Sequence, residues 1–505
     1  MRTQNSILNM KSNFLILITQ TILSFVVRTI FIKELGKTYL GLDGLFLNIL
    51  NILSIAELGI SSAISFCLYK PLKEEDIEKI SILMTCYKKL YYIIGTIMTA
   101  IGLLIMPFLQ YMIKDTVENL YLIYILYLLS TTTLYFISYK EILIMADQKN
   151  YKLTWINFLF TIIMYGMQVL VLIQYNSFIL YLIIQLIVKI LQKIFISRYI
   201  TKQYQKIDFN AKKELEKEEL NGIKRNIKFL FFNKIGDLCI YCTDNILISK
   251  IVNLITVGLY SNYSSVVTIT RSIINGVFTG ITASFGNFAI DSNEESKKNI
   301  FEIMDFIRFI LYGLCTIGFI LLINTFVQIW LGKSFLLNKT NVFIICLNFY
   351  LMGTQVPIEV VKQALGFYNR DRIVALMQAV VNLILSILLG IKFGLTGILI
   401  STTISYIILP YWLRPYYIYK YIFKTKVLTY LKREILNLIA ICIVVIISEY
   451  IFTFMSINSI IIRFIIEIIL TMLLFAIVVT ILYHKTKEFK FVYEYCREKL
   501  NKRIE

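Results

Sequence analysis

The stretch IIIRFIIEIILTMLLFAIVVTILY, from Ile460 to Tyr483, decides the fold class. A helix needs about 20 consecutive apolar residues to cross roughly 30 Å of hydrocarbon, and this stretch is long enough. Similar runs recur along the chain, among them Leu45–Cys67, Leu90–Met112, Leu120–Ile137 and Ile303–Val327. Strands of a membrane barrel would alternate apolar and polar residues, whereas these runs are uniformly apolar, so they predict membrane-spanning helices.

The composition of the whole chain agrees with this interpretation. Of the 505 residues, 58% are hydrophobic and 16% are charged, against about half and about a quarter in soluble domains. The first apolar run, after Met1–Lys11, lacks a small-residue cleavage site and is expected to remain as a span. We therefore predict an all-α integral membrane protein with about 14 transmembrane helices, at roughly 13–33, 41–69, 90–112, 119–139, 154–174, 178–199, 227–250, 255–283, 303–328, 341–365, 373–391, 394–419, 434–455 and 460–483.

The basic residues predict the orientation of the spans. The larger basic clusters occur in alternate loops, at 70–79, 140–152, 201–225, 297–298, 370–372 and 420–433, and after Lys485. The intervening loops carry few charges, and the one at Asn176 and Ser177 carries none. Because lysine and arginine accumulate in cytoplasmic loops, both termini are predicted to be cytoplasmic. The same bias explains the net charge of +19 without a nucleic-acid partner.

Three pairs of similar segments predict an internal duplication. Leu40-Gly41-Leu42 resembles Val257-Gly258-Leu259 at an offset of 217, and two further pairs have offsets of 219 and about 220. Each span then pairs with the one six later in the same orientation. This arrangement predicts two six-helix halves related by an axis along the membrane normal, with the substrate path between them.

The predicted domains follow from the duplication. They are an N-terminal six-helix half at 1–200, a cytoplasmic linker at 201–226, a C-terminal six-helix half at 227–420, two additional transmembrane helices at 421–484 and a cytoplasmic tail at 485–505.

Charged residues inside the spans are the candidate functional residues, because an ionisable group in hydrocarbon is costly and usually faces a cavity or a partner. Those that stand out are Arg28, Glu57, Lys234, Asp237, Asp244 and Arg271. Lys234, Asp237 and Asp244 have spacings of three and seven residues, which places them on one stripe of a helix. Glu359 and Lys362 lie near the inner end of their span, where a solvated mouth and a site are equally compatible with the pattern.

Two interpretations of these charges remain open. In the first, they form ion pairs between helices, such as Arg28 with Asp244 or Arg271 with Asp237. In the second, Arg28, Arg271 and Lys234 form a cationic cavity for an anionic headgroup, since the planar donor fork of arginine matches phosphate oxygens. Glu57 is also assigned to substrate binding, and the carboxylates Asp237 and Asp244 would bind a coupling cation or exchange partners between states.

No metal or other cofactor is expected. The one histidine, His484, lies in the C-terminal tail, which excludes a buried histidine relay and a histidine-ligated metal. Cys239 and Cys242 lie within an apolar span and have no second cysteine pair or neighbouring histidine, so helix packing is the better interpretation.

Two segments resemble a known family. Gly41-Leu42-Asp43-Gly44, followed by Ala56-Glu57-Leu58-Gly59-Ile60-Ser61-Ser62-Ala63, is similar to the second span of polysaccharide repeat-unit flippases. Thr243-Asp244-Asn245-Ile246-Leu247-Ile248-Ser249, leading to Val257-Gly258-Leu259-Tyr260-Ser261, resembles the seventh-to-eighth span segment of the same family. These flippases belong to the multidrug/oligosaccharidyl-lipid/polysaccharide exporter superfamily, and the resemblance extends over essentially the whole chain.

The resemblance implies a monomeric flippase in the bacterial cytoplasmic membrane. Its cargo would be an undecaprenyl-diphosphate-linked oligosaccharide for capsule, O-antigen or exopolysaccharide synthesis, moved by alternating access with Na⁺, H⁺ or the membrane potential as the driving force. In such families, basic residues of the first and eighth spans line a central cationic cavity, and Arg28 and Arg271 occupy the matching positions. The related peptidoglycan-precursor flippases carry more arginine in their first two spans, which argues against that branch.

Two alternatives belong to other functional classes. A cation-coupled exporter of small drugs from the same superfamily would favour an acidic cavity, whereas Arg28, Lys234 and Arg271 make this one mixed to basic. A membrane glycan polymerase or ligase would need a sizeable outer loop for its active site, and the outer loops predicted here are short.

Overall fold

Helices make up all the regular structure of the described residues in this computed structural model. Those residues are 2–54, 60–213, 215–216, 218–219, 221–223, 243–367 and 371–504. The chain divides into two compact units, Met1–Gly258 and Leu259–Glu505.

The first unit is built from eight labelled helices and a short helical segment at 243–251. The helices are α1 (Arg2–Leu53), α2 (Ile60–Glu74), α3 (Ile77–Ile105), α4 (Leu109–Met112), α5 (Leu120–Ser138), α6 (Glu141–Ala146), α7 (Asn150–Tyr175) and α8 (Phe178–Gln203).

Helix α9 (Leu254–Asp291) begins in the first unit and continues into the second. The second unit then contains α10 (Glu294–Leu331), α11 (Lys339–Thr354), α12 (Val356–Leu365), α13 (Asp371–Phe393), α14 (Leu395–Ile408), α15 (Pro410–Tyr421), α16 (Leu428–Thr453), α17 (Ile460–Tyr483) and α18 (Lys487–Ile504).

The predicted all-α membrane fold is confirmed, and the span count can be compared region by region. Within the described residues, 12 helices are long and apolar enough to cross a membrane. One of them, Ile16–Leu53, combines the first predicted span with the start of the second. The predicted seventh span, 227–250, lies mostly outside the described residues. These two differences explain why 14 spans were predicted and 12 membrane-length helices are found among the described residues.

Helix α17 shows why these helices suit a bilayer. Its outward face exposes large apolar side chains, including Ile465, Ile469 and Leu473, whereas Glu467 and Thr471 are buried. A soluble protein would arrange these residues in the opposite way, because large contiguous apolar surfaces are unfavourable in water. The apolar face therefore matches lipid.

Side-chain caps mark several helix starts. Asp76 accepts a hydrogen bond from the backbone N–H of Lys79 at the start of α3. Asn293 accepts one from Ser296 at the start of α10. Asn176, in the left-handed region with φ of 46°, ends α7 and permits a tight connection to α8. Such caps satisfy backbone groups that a helix end leaves without partners.

Helix α1 changes direction at Gly36, whose backbone angles are φ 80° and ψ −172°. This region of backbone space is essentially restricted to glycine. The turn divides α1 into two arms, which correspond to the first predicted span and the beginning of the second.

Within the first unit, Gly41 packs against the backbone just before Gly258, and Gly258 packs against the backbone just before Gly41. A Cβ atom added to Gly41 would lie 2.0 Å from the carbonyl oxygen of Leu254, and one added to Gly258 would lie 2.6 Å from that of Lys37. Each glycine thus lies against the residue four positions before the other. The offset of 217 that relates Gly41 to Gly258 also relates Lys37 to Leu254. Reciprocity of this kind is typical of a two-fold contact.

The described part of the linker lies along α3. The backbone N–H of Asp208 donates to the hydroxyl of Ser81 at 3.0 Å, and that of Ala211 donates to Thr85 at 3.0 Å. Tyr204, at the end of α8, donates to Asp147 at 2.6 Å. These bonds place the beginning of the linker against the first unit.

Candidate functional site

The turn at Gly36 brings Arg28 and Asp43 into electrostatic contact. The two residues are fifteen positions apart, and in a straight helix their Cα atoms would be about 22 Å apart. Instead, Arg28 lies eight residues before the turn and Asp43 seven after it, so they lie at similar distances from the turn on the two arms. The Asp43 carboxylate interacts electrostatically with the Arg28 guanidinium.

Helices α5 and α8 complete this cluster. The hydroxyl of Tyr127 on α5 donates a hydrogen bond to the Asp43 carboxylate. Lys189 on α8 also interacts electrostatically with Asp43, and Tyr181 on α8 interacts with both Arg28 and Asp43. We call Arg28, Asp43, Tyr127, Tyr181 and Lys189 the N-terminal cluster.

Among the described residues, the N-terminal cluster combines two cationic side chains, Arg28 and Lys189, with one carboxylate, Asp43. Its environment is largely shielded from water: Tyr127 is 1% exposed, and Arg28, Asp43 and Lys189 are half-buried. In a membrane bundle, such an excess of positive charge favours binding of an anion. The chemistry of the cluster therefore fits a phosphate or diphosphate group.

Aromatic side chains fix the geometry of this region. Phe178 of α8 contacts the rings of Phe31 and Tyr127, at centroid distances of 5.5 and 6.3 Å. Tyr181 contacts Phe31 at 5.2 Å. These edge-to-face and tilted contacts hold α8 against α1 and α5, and so position Lys189 relative to Asp43.

Asp244 lies in the helical segment 243–251 of the same unit. It is 7% exposed. The neighbouring Asn245 donates to the backbone carbonyl of Gly44 at 3.3 Å, and Ser249 donates to that of Met112 at 2.8 Å. Among the described residues, Asp43 interacts electrostatically with Arg28, and the pairing of Arg28 with Asp244 stays a prediction.

Arg271 lies half-buried on α9 in the second unit. One of its guanidinium nitrogens lies 3.3 Å from the sulfur of Met352 on α11. One turn further along α9, Asn275 accepts a hydrogen bond from Tyr312 on α10 at 2.8 Å. Arg271 is thus presented by a polar face of α9 that packs against α10 and α11.

Glu359 and Lys362, near the inner end of their predicted span, belong to a network with equal numbers of opposite charges. Lys362 is 4% exposed and contacts Glu359 and Asp371, each at 2.5 Å. Arg414 on α15 contacts Asp371 at 2.7 Å. Two cations and two carboxylates satisfy each other, so this network ties α12, α13 and α15 together rather than attracting an ion.

Three of the predicted site residues, Glu57, Lys234 and Asp237, lie outside the described residues. Asp43 and Lys189, by contrast, were not predicted as site residues. Asp43 lies in the quoted motif Gly41–Gly44, and Lys189 lies within the predicted span 178–199. Their charge inside apolar runs was the signal that could have identified them.

An apolar groove lies in the second unit. Its cavity volume is ≈ 250 Å³, and it is lined by residues of α9, α10 and α17, among them Val266, Gly318, Phe319, Leu322, Phe464 and Ile468. A Cβ atom added to Gly318 would contact nothing within 4 Å, so this glycine leaves the groove open. The lining suits a hydrocarbon chain.

The fold and these buried charges define a class: a multi-pass helical membrane protein with ionisable groups inside its spans. No protein-family model and no curated protein matches the chain. Solved structures, however, share its fold. The lipid II flippase MurJ, in an inward closed conformation, is 17% identical with a TM-score of 0.65, over 92% of this chain and 99% of that protein.

Two transporters of a second kind are also similar. An inward-facing multidrug-resistance transporter of the MATE family, from the MOP superfamily, is 14% identical with a TM-score of 0.58, over 77% of this chain and 92% of that one. The Vibrio cholerae MATE transporter VcmN is 12% identical with a TM-score of 0.55, over 82% and 96%. The chain therefore has the all-α fold that these membrane transporters share.

Proposed function

We propose that this protein is a flippase that moves a polyprenyl-diphosphate-linked oligosaccharide across the cytoplasmic membrane by alternating access. What supports the proposal is the N-terminal cluster, in which Arg28 and Lys189 both interact electrostatically with Asp43, its one carboxylate among the described residues. A cationic drug would be repelled by this charge balance, whereas a lipid diphosphate would be attracted by it. The flippase is therefore favoured over the drug exporter of the same superfamily.

The diphosphate is the group that the N-terminal cluster would hold. Arg28 offers a planar fork of donors for two phosphate oxygens, and Lys189 offers a point charge from the facing helix. Binding of the anion would release Asp43 from its role as the shared counter-charge, while Tyr127 continues to donate to that carboxylate. The resemblance also implies that Arg271 binds cargo, and this role stays a prediction.

The apolar groove supports the lipid part of the cargo. A polyprenyl chain gains about 25 cal/mol for each Å² of apolar surface removed from water, but no such gain when it moves from lipid to protein. The groove would therefore guide the chain rather than supply affinity. The membrane potential can drive transport, since an inside-negative potential favours outward movement of negative charge by about 2.3 kcal/mol per charge per 100 mV.

The test is reconstitution in liposomes with a fluorescent polyprenyl-diphosphate saccharide. Arg28→Met and Lys189→Met are expected to reduce the flipping rate by about tenfold or more, since a hydrogen bond to a charged group contributes about 1.5–3 kcal/mol. Lys193→Met is the matched control. Lys193 lies one turn from Lys189 on α8 and already contacts Glu141 at 2.6 Å, so its loss should leave flipping unchanged.

Gly318→Phe tests the groove separately. Its side chain would fill the groove without a backbone clash, and it is expected to slow flipping of long polyprenyl chains more than that of short ones.

Normal flipping by folded Arg28→Met and Lys189→Met proteins would refute the site. Transport of a cationic dye in place of the lipid diphosphate would support the drug exporter instead.

A further inference from the structure

A second group of buried charges lies in the C-terminal unit, apart from the residues assigned to cargo. Arg308 of α10 donates to Oδ1 of Asp305 on the same helix and to Oε1 of Glu434 on α16. Arg308 and Glu434 are 0% exposed and Asp305 is 1% exposed. We call these three residues the buried triad.

Uncharged side chains occupy most of the remaining oxygen positions of the buried triad. Asn437 donates to Oε1 of Glu434 at 2.8 Å, and Tyr350 of α11 donates to Oε2 at 3.1 Å. Tyr483 of α17 in turn donates to the amide oxygen of Asn437. Within the described part of the chain, Oδ2 of Asp305 has no hydrogen-bond partner, and neither does the hydroxyl of the buried Tyr430.

The buried triad contains two carboxylates and one arginine. The charged groups around it do not correct this imbalance. Arg433 contacts Glu302 at 3.5 Å and Glu488 at 2.9 Å, and Lys298 contacts Glu302 at 4.0 Å, so these four surrounding charges cancel. The titratable groups that interact with the triad from the packed helices are Tyr350, Tyr411, Tyr419, Tyr430, Arg433 and Tyr483, and Glu302 and Glu488 lie beyond Arg433.

The surroundings also exclude water from the triad. An apolar cluster of Phe306, Phe309, Ile441, Val444 and Phe475 packs between α10, α16 and α17 beside it. An excess negative charge in such a place is costly, because solvent is excluded and the nearby cation Arg433 is already balanced by Glu302 and Glu488. Two carboxylates that share a site relieve this cost when one of them binds a proton.

We propose that the buried triad is a proton-binding site, in which the Asp305–Glu434 pair holds one exchangeable proton that fastens α16 to α10. Three of the four carboxylate oxygens already accept hydrogen bonds from Arg308, Asn437 or Tyr350. The single open oxygen cannot coordinate a metal ion by itself, but it is sufficient for a proton. The proton belongs to the pair, because the two carboxylates are coupled through Arg308.

The site links the two additional membrane helices to the rest of the unit. Glu434 and Asn437 lie on α16 and Tyr483 on α17, whereas Asp305 and Arg308 lie on α10. Release of the proton would leave an excess charge at this contact and weaken the attachment of α16 and α17. The proton site does not depend on the cargo, so failure of the proposed function would leave this proposal unchanged.

The experiment measures unfolding of the purified full-length protein in detergent between about pH 5 and pH 9. While the folded protein binds one proton more than the unfolded chain, each pH unit raises the unfolding constant by about tenfold, so stability falls as the pH rises. Asp305→Asn and Glu434→Gln each make the triad neutral at every pH. Both are expected to remove this part of the slope and to be relatively more stable at high pH.

Glu467→Gln is the matched control. Glu467 is also a buried carboxylate, but it has its own cation, Arg463 of α17, at 2.8 Å. This variant should keep the wild-type slope. Infrared spectra provide a second measurement: the carbonyl band of a buried protonated carboxyl group should be lost in whichever triad variant folds, and kept in Glu467→Gln.

Three results would overturn the proposal. The first is a wild-type slope that persists in both triad variants. The second is an infrared band that neither substitution changes. The third is a stability that follows the sodium concentration at constant pH, since the bound species would then be a metal cation.

Discussion

Replacement of Gly36 by alanine tests the turn that builds the N-terminal cluster. The backbone angles of Gly36, φ 80° and ψ −172°, lie in a region that residues with a Cβ atom rarely adopt. Nothing lies within 4 Å of the added Cβ, so packing contributes nothing to the outcome. The cost is therefore backbone strain alone, of order 1–3 kcal/mol.

Gly166→Ala is the comparison, because this substitution is expected to change the stability in the opposite direction. Gly166 lies inside α7, and its added Cβ atom also contacts nothing within 4 Å. Alanine in a helix interior is favoured over glycine by about 1 kcal/mol. The same chemical change, in equally open space, is thus expected to destabilise the protein at position 36 and to stabilise it at position 166.

The assay is thermal or denaturant-induced unfolding of the purified protein in detergent, combined with flipping in liposomes. Gly36→Ala should raise the unfolding constant by about 5-fold to 150-fold, since about 1.4 kcal/mol corresponds to a factor of ten. It should also slow flipping, because relaxation of the strain would separate Asp43 from Arg28. Equal signs for the two substitutions would show that Gly36 is not held in its left-handed conformation, and the account of the cluster would fail.

Three further predictions follow from individual contacts. Gly41→Ala and Gly258→Ala should each destabilise by about 1–3 kcal/mol or more, because their Cβ atoms would lie 2.0 and 2.6 Å from backbone oxygens, whereas Gly276→Ala, in open space, should not. Tyr127→Phe should cost about 1.5–3 kcal/mol through its bond to the Asp43 carboxylate, and more than Tyr124→Phe, whose hydroxyl donates to the neutral carbonyl of Gly102 at 3.0 Å. Asp115→Ala should cost about 0.5–2 kcal/mol, because Asp115 accepts from the N–H of Leu254 at 2.7 Å at the start of α9, and Asp115→Asn should recover most of it. Denaturant-induced unfolding of each pair measures these differences, and equal losses within any pair would contradict the contact on which it rests.

The path of the chain through the membrane could be predicted because it depends on local properties. A run such as Ile460–Tyr483 forms a helix in lipid whatever surrounds it, since its backbone groups have to be satisfied within the segment. The connection at Asn176 and Ser177 was identified because it separates two apolar runs. Gly41 and Gly258 were identified because similar residues flank both of them.

The partners of the buried charges could not be predicted in this way. The position of Arg28 along its span follows from counting residues, and this suggested Asp244 as its partner. The electrostatic interaction of Arg28 with Asp43 depends on the angle at Gly36 and on the rotation of each arm about its axis. Neither quantity is encoded in spacing along one helix.

The buried triad shows the same limit more clearly. Asp305 and Arg308 are three residues apart, and their contact could be inferred from helical periodicity. Glu434 lies 126 positions further along the chain and joins them because α16 packs against α10. The sequence by itself determined that the chain crosses a membrane as helices and that charges lie inside them. Tertiary packing decided which charges share a site, because the free energy of a buried charge depends on the side chains that face it from other helices.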